Sequence, residues 1–256
     1  MADVVIMETS AQASELAAEL ISQTVLAHPR AVLGFATGST PQASYRALAS
    51  RGLELSGVRG FALDEYIGLA PGHPESYRSV IDRDVVEPLG LRAGAVRVPG
   101  DDGQGLEGAG ARYERDIREA GGIYLQILGI GGNGHIGFNE PGSSLDSQTR
   151  IAVLTQSTRQ ANRRFFASID DVPTHCITQG LGTIRNARRL VLLAFGEAKA
   201  RAVALAVEGP VSASVPASVL QLHRDVTVIV DEAAASLLAN ADYYRDAWRQ
   251  RDGWRT

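Results

Sequence analysis

The segment IYLQILGI at 123–130 runs straight into GGNGHIGFNEP at 131–141, and this junction decides how the whole chain is read. Its first half is a nearly unbroken apolar run of strand length. Glycines then release the backbone, and two proton-handling groups, His135 and Glu140, follow five residues apart. Nothing in that loop suits core packing. In an α/β protein, chemistry is placed at the carboxyl end of a strand, so the junction marks both a fold class and a candidate site.

Working outward, strand-length apolar runs alternate with helical patterns. Strands are expected at 4–7, 31–35, 58–63, 189–195 and 226–230. Helices are expected at 13–26, from Pro41 to about 49, and at 77–86, 107–119, 197–207 and 232–248. Strands built from Val, Ile and Leu with little alternation indicate a mostly parallel sheet with helices on both faces. The expectation is an α/β, Rossmann-like chain folded as a single domain over 1–256. The glycine-rich stretch 100–110 reads as a surface loop, not a boundary.

Bulk properties narrow the partners. With 25 basic and 29 acidic residues the net charge is −4, so an anionic ligand must be held by a local site and not by a basic face. No Lys/Arg stripe or zinc-finger spacing supports nucleic-acid binding. Cys176 is the single cysteine, which excludes an intramolecular disulfide. The start lacks a basic region followed by a long apolar one, and the run 190–195 is too short to cross a bilayer. A soluble, cytoplasmic protein is expected, with no membrane partner.

Three loops carry chemistry. In GFATGSTP (34–41), Pro41 suits the first helical position and makes Thr40 the expected N-cap. The N–H groups of Gly38, Ser39 and Thr40, with the hydroxyls of Thr37, Ser39 and Thr40, would then form an anion-attracting helix end. A capped turn without ligand fits those residues equally well. In LDEYIGL (63–69), Asp64 and Glu65 stand together after a strand. Either one could serve as a general base if its surroundings raised its pKa, or both could be solvated loop charges. His73, among loop prolines, reads as an exposed bystander. In the third loop, His135 titrates in the range that acid–base catalysis needs. Glu140 can orient it, and Asn133 can hydrogen-bond but not titrate. Asp64, His135 and Glu140 could be imagined as metal ligands, but no H-E-x-x-H or Cys/His spacing calls for a metal.

Taken together these loops resemble the glucosamine-6-phosphate deaminase family, also called glucosamine-6-phosphate isomerase. The matching stretches are GFATGSTP (34–41), LDEYIGL (63–69), HPESY (73–77), GIGGNGHIGFNEPGSS (129–144), TRQANRRFF (158–166), GEAKA (196–200) and SVLQLH (218–223). They span nearly the whole chain, and only the end, 248–256, has no clear match. The resemblance implies a modified Rossmann-like fold and conversion of glucosamine 6-phosphate and water to fructose 6-phosphate and ammonia, without a cofactor. It casts Asp64 as the base at C2 and His135 as the proton carrier in ring opening, helped by Glu140 and Asn133. It casts Thr37, Gly38, Ser39 and Thr40 as the phosphate loop, with Arg164 and Lys199 as cationic partners.

Two departures stand out. Some members carry aspartate where this chain has Asn133. Allosterically regulated members carry a basic pair where this chain has Arg150-Ile151-Ala152, so activation by N-acetylglucosamine 6-phosphate is not expected. The competing readings are a galactosamine-6-phosphate deaminase, a 6-phosphogluconolactonase-like hydrolase and a sugar-phosphate-sensing domain of a transcription regulator. The sensor would need a DNA-binding module, for which about thirty residues ahead of the phosphate loop are too few. The small-molecule partner is an amino-sugar phosphate, and a homo-oligomer is possible.

Overall fold

The computed structural model describes residues 3–251. In chain order the elements are β1 (Asp3–Met7), α1 (Ser10–Ala27), β2 (Val32–Phe35), α2 (Ser39–Ala49), β3 (Arg59–Ala62), β4 (Asp64–Ile67), α3 (Tyr77–Ile81), β5 (Val96–Arg97), α4 (Ala109–Glu119) and β6 (Leu125–Gly129). There follow β7 (Arg150–Val153), α5 (Gln156–Asn162), β8 (His175–Thr178), α6 (Leu181–Arg185), β9 (Arg189–Ala194), α7 (Ala200–Val207), β10 (Val226–Asp231), α8 (Glu232–Ala235) and α9 (Ala241–Gln250).

Seven strands form one parallel sheet in the order β1-β10-β9-β6-β2-β3-β5, and three form an antiparallel sheet in the order β4-β8-β7. Every residue from Leu190 to Ala194 in β9 is buried, although their side chains alternate between the two sheet faces. Both faces of this central strand are therefore covered, as a parallel sheet requires. Each such Leu or Val contributes ~1.5–3 kcal/mol on burial. The expected α/β architecture is present, and the seven-stranded sheet is parallel throughout.

The antiparallel sheet was not expected from the sequence, and it matters most for the site. After β3 the chain crosses from one sheet to the other within a single residue. Leu63 donates its N–H to Phe35 O (3.2 Å) in the parallel sheet, and its carbonyl accepts from Gln179 N–H (2.7 Å) at the end of β8. Asp64 thus sits at the seam between the two sheets.

Three boundaries differ from expectation. The helix expected over 77–86 is α-helical only to Ile81 and continues as a π-helix over Asp82–Val86. The second helix begins at Ser39, capped by Gly38 at φ 93°, so Thr40 is not the N-cap and Pro41 occupies the third helical position. Proline is tolerated there because first-turn N–H groups have no intrahelical acceptor. The helix expected over 232–248 is two helices. The carboxylate of Glu208 accepts the N–H groups of Ala239 (2.8 Å) and Asn240 (2.9 Å) and so breaks the helical ladder between α8 and α9. Of the end expected to have no clear match, 248–256, residues 248–250 close α9 and those from 252 onward lie outside the described residues. No helix among them is long and apolar enough to cross a membrane.

Candidate active site

One cavity of about 640 Å³ opens at the carboxyl ends of β2, β3 and β6, where the three loops converge. It is lined by Thr37, Gly38, Ser39, Thr40, Asp64, Asn133, His135, Arg164 and Lys199. Glu140, the remaining residue expected at the site, is not in the lining and stands behind His135.

The loop at 36–40 is held from beneath. The buried Tyr45 hydroxyl accepts from Ala36 N–H (3.1 Å) and donates to Ala36 O (2.9 Å), so one phenol satisfies both backbone groups where β2 ends. Beyond that pin, the positive φ of Gly38 turns the chain into α2. The N–H groups of Ser39 and Thr40 fall in the first turn and find no acceptor among the described residues. A helix end with free donors beside a cavity is suited to binding an anion.

Across the cavity are two cations. Lys199 Nζ donates to Ile130 O (2.7 Å), which anchors it at the end of β6. Burial and the neighbouring Arg164 lower its pKa. Arg164 is exposed, lies over the Phe165 ring at 4.7 Å, and reaches the cavity from the turn that follows α5.

The two adjacent carboxylates have different jobs, because neighbouring residues of a strand face opposite ways. Glu65 accepts the N–H groups of Tyr66 (2.7 Å), Tyr77 (2.8 Å) and Arg78 (2.8 Å), so it holds the start of α3. Asp64 is 5% exposed and lines the cavity. Burial, reinforced by the charge of Glu65, pushes its carboxyl well above the usual aspartate value. A side chain on Gly137 would meet Asp64 Oδ2 at 3.5 Å, so the third loop passes directly against this carboxylate. Tyr66, Tyr77, Phe138 and Phe166 wall this end of the cavity, with ring centroids 4.7 to 5.8 Å apart. His73 is not exposed as expected: it is half-buried and stacks on Phe166 at 5.9 Å, outside the cavity lining.

The third loop presents its histidine by stacking it on bare backbone. A Cβ on Gly131 would stand 2.2 to 2.4 Å from the atoms of the His135 ring, so only glycine leaves room for it. His135 Nδ1 lies 3.7 Å from Glu140 Oε2, at ion-pair distance. Asn133 fixes that carboxylate by donating Nδ2–H to Oε2 (2.8 Å), while its Oδ1 accepts the backbone N–H of His135 (3.2 Å). Asn133 therefore orients Glu140 and the loop backbone, not the imidazole itself. Glu140 is 8% exposed. Burial pushes its pKa upward, but the neighbouring His135 and the donors of Thr158 and Asn133 outweigh that and hold it at about 2. The carboxylate beside His135 is thus charged at neutral pH.

The cavity accordingly offers an anion-binding end, a buried carboxyl of raised pKa, and an imidazole backed by a fixed negative charge. That set suits proton transfer at carbon and oxygen of a phosphorylated ligand. Among the described residues no group of three or more His, Cys, Asp or Glu stands close enough to hold a metal ion. Tyr45, Thr155 and Gly131 were not singled out from sequence. The Thr155 N-cap ahead of a helical run was a readable signal, whereas the other two depend on contacts across the fold.

A family model described as "Glucosamine-6-phosphate isomerases/6-phosphogluconolactonase" matches residues 7–229. A Bifidobacterium longum (strain DJO10A) protein named glucosamine-6-phosphate deaminase is 54% identical over 267 residues, covering 99% of each chain. A Rhodococcus jostii (strain RHA1) protein of the same name is 52% identical over 258 residues, again covering 99% of each. Among solved structures, one described as a monomeric glucosamine-6-phosphate deaminase superposes with a TM-score of 0.89 at 41% identity, over 93% of this chain and all of that one. A 6-phosphogluconolactonase from Trypanosoma cruzi shares the fold, with a TM-score of 0.75 at 19% identity over 93% of this chain and 97% of that one.

Proposed function

The chain belongs to the family of glucosamine-6-phosphate isomerases and 6-phosphogluconolactonases, and from that premise we propose that it is a glucosamine-6-phosphate deaminase. It converts glucosamine 6-phosphate and water to fructose 6-phosphate and ammonia. The observation that carries this reading is the convergence of Asp64, His135 and the 37–40 loop on one cavity. The names of full-length relatives at 52–54% identity support it.

The phosphate seats on the N–H groups of Ser39 and Thr40 and on Arg164 and Lys199. Binding energy at this end positions the reacting carbon several bonds away. His135 moves a proton from the anomeric hydroxyl to the ring oxygen, which opens the ring, and the fixed charge of Glu140 stabilises the imidazolium as it forms. Asp64 then takes the proton from C2, which is acidified by the exposed aldehyde. A carboxylate removed from bulk water is the stronger base for that step. Returning the proton to C1, while a proton passes from the amine to O1, leaves an imine at C2, and attack of water there releases ammonia. This sequence needs neither a redox cofactor nor a covalent lysine, so Lys199 serves as a phosphate ligand.

The test is a substrate panel with purified protein and no added metal or nucleotide. Glucosamine 6-phosphate should yield equal amounts of ammonia and ketose phosphate. Preference for the galactosamine epimer would change the substrate, and opening of 6-phosphogluconolactone would replace the reading by the hydrolase one. Tight binding without turnover would favour a sensor. Sedimentation of the same preparation decides whether the cytoplasmic enzyme expected here is a homo-oligomer.

A further inference from the structure

Glu140 is held on two sides, and its partners belong to different parts of the fold. Oε2 faces the catalytic loop and receives Asn133 Nδ2–H (2.8 Å), with His135 Nδ1 at 3.7 Å. Oε1 faces α5 and receives the N–H (3.3 Å) and the hydroxyl (3.1 Å) of Thr155. Thr155 is also the N-cap of α5, since its Oγ1 accepts Thr158 N–H at 3.2 Å. The helix it caps leads within two residues to Arg164, the exposed cation of the anion site.

The helix α5 has little other purchase on the body of the protein. Thr158 is its one buried residue. Arg159 ties it to the carbonyls of Ile169 and Val172, which belong to the same excursion between β7 and β8. Its polar attachment to the catalytic loop therefore converges on one carboxylate. Of the acceptors around the Thr155 hydroxyl, that ionised carboxylate makes the strongest bond.

We propose that Thr155 is a positioning residue: by holding Oε1 of Glu140 it couples the seating of α5, and with it Arg164, to the placement of the carboxylate behind His135. This rests on the functional reading above. Engagement of the phosphate by Arg164 then favours the same α5 position that fixes Glu140, so the remote end of the substrate helps to set the proton-transfer pair.

The experiment compares wild type with Thr155→Val, Thr155→Ser, Arg164→Gln and the Thr155→Val/Arg164→Gln double variant in the ammonia-release assay. Thr155→Val should lower kcat about tenfold while KM stays within about threefold, and Thr155→Ser, which keeps the hydroxyl, should restore kcat to within about twofold. In the double variant the loss in kcat should be smaller than the product of the single losses, the mark of coupled sites. Equal effects of Val and Ser, or a strictly multiplicative double variant, would overturn the coupling. If Thr155→Val does not fold, Thr155→Asp keeps the helix capped but sets a like charge against Glu140; it should lose at least tenfold in kcat, and retention of wild-type kcat would sink the proposal. The ¹⁵N resonances of the His135 ring give a readout independent of turnover. They should move in Thr155→Val but not in Thr155→Ser, so a wild type that releases no ammonia would overturn the functional reading alone.

Discussion

Replacing Gly131 by alanine tests the placement of His135 with almost no other change. Gly131 does not have a positive φ, so alanine is compatible with its backbone. The added methyl would stand 2.2 Å from Cε1 and 2.4 Å from each ring nitrogen of His135, where ordinary contact begins near 3.4 Å. The ring must therefore retreat by 3.4 − 2.2 = 1.2 Å. A misplacement of about 1 Å costs a positioned catalytic group roughly 10²-fold, or ~2.7 kcal/mol in barrier. The fold itself should lose little, on the order of 1 kcal/mol, because the end of a side chain yields and not the backbone. The assay is ammonia release from glucosamine 6-phosphate by Gly131→Ala, His135→Ala and the double variant. Gly131→Ala should drop kcat about 100-fold with KM within about threefold, and should add nothing once His135 is gone. A folded Gly131→Ala enzyme within threefold of wild type, or an equal loss in the His135→Ala background, would refute the reasoning.

Other perturbations follow from the same geometry. Asp64→Asn should abolish turnover yet bind the sugar phosphate. It should also stabilise the protein at neutral pH: a carboxyl with a raised folded pKa weakens the fold as pH climbs from its ordinary 3.8 through the folded value. The gain in Tm should vanish in thermal scans below about pH 4, and an unchanged Tm at pH 7 would contradict the burial argument. Glu140→Gln works in the opposite sense. With its pKa held at about 2 against an ordinary 4.5, the carboxylate contributes stability above pH 4.5 that is lost as pH falls toward 2. The variant should be less stable by ~1–2 kcal/mol at pH 7, allowing for solvent screening, and should match wild type near pH 2 in urea titrations. Tyr45→Phe leaves the N–H and carbonyl of Ala36 unpaired in the core, which should cost ~1–3 kcal/mol and raise KM. A KM equal to wild type would mean the phosphate loop does not depend on that phenol.

Much of the site was legible because its chemistry is local. His135, Glu140 and Asn133 lie within eight residues of one another behind an unmistakable strand, and the phosphate loop announces itself by hydroxyls and glycine ahead of a helix. Arg164 and Lys199 were recoverable only through resemblance, since an arginine in RRFF and a lysine in GEAKA carry no local mark of a ligand. The strands β4, β7 and β8 escaped for a related reason. DEYI and RIAV are short and partly polar, and they become strands only by pairing with β8, which lies more than a hundred residues on from the first and fewer than thirty from the second. The N-cap of α2 was misplaced by two residues because local preference for proline at the first position yields to the turn that Gly38 makes possible.

The sequence by itself determined the alternation of strands and helices, the parallel central sheet and the residue types at each loop, because hydrophobic periodicity and turn chemistry act over a few residues. The resemblance casts Asp64 as the base, but only the tertiary structure shows the physical difference between the two adjacent carboxylates. Asp64 and Glu65 are equivalent on paper. At the seam between the two sheets one is buried against the cavity, where desolvation raises its pKa, and the other is turned onto three backbone N–H groups at the start of a helix. Burial and hydrogen bonding are properties of neighbours brought from far along the chain, and those neighbours exist only in the folded state.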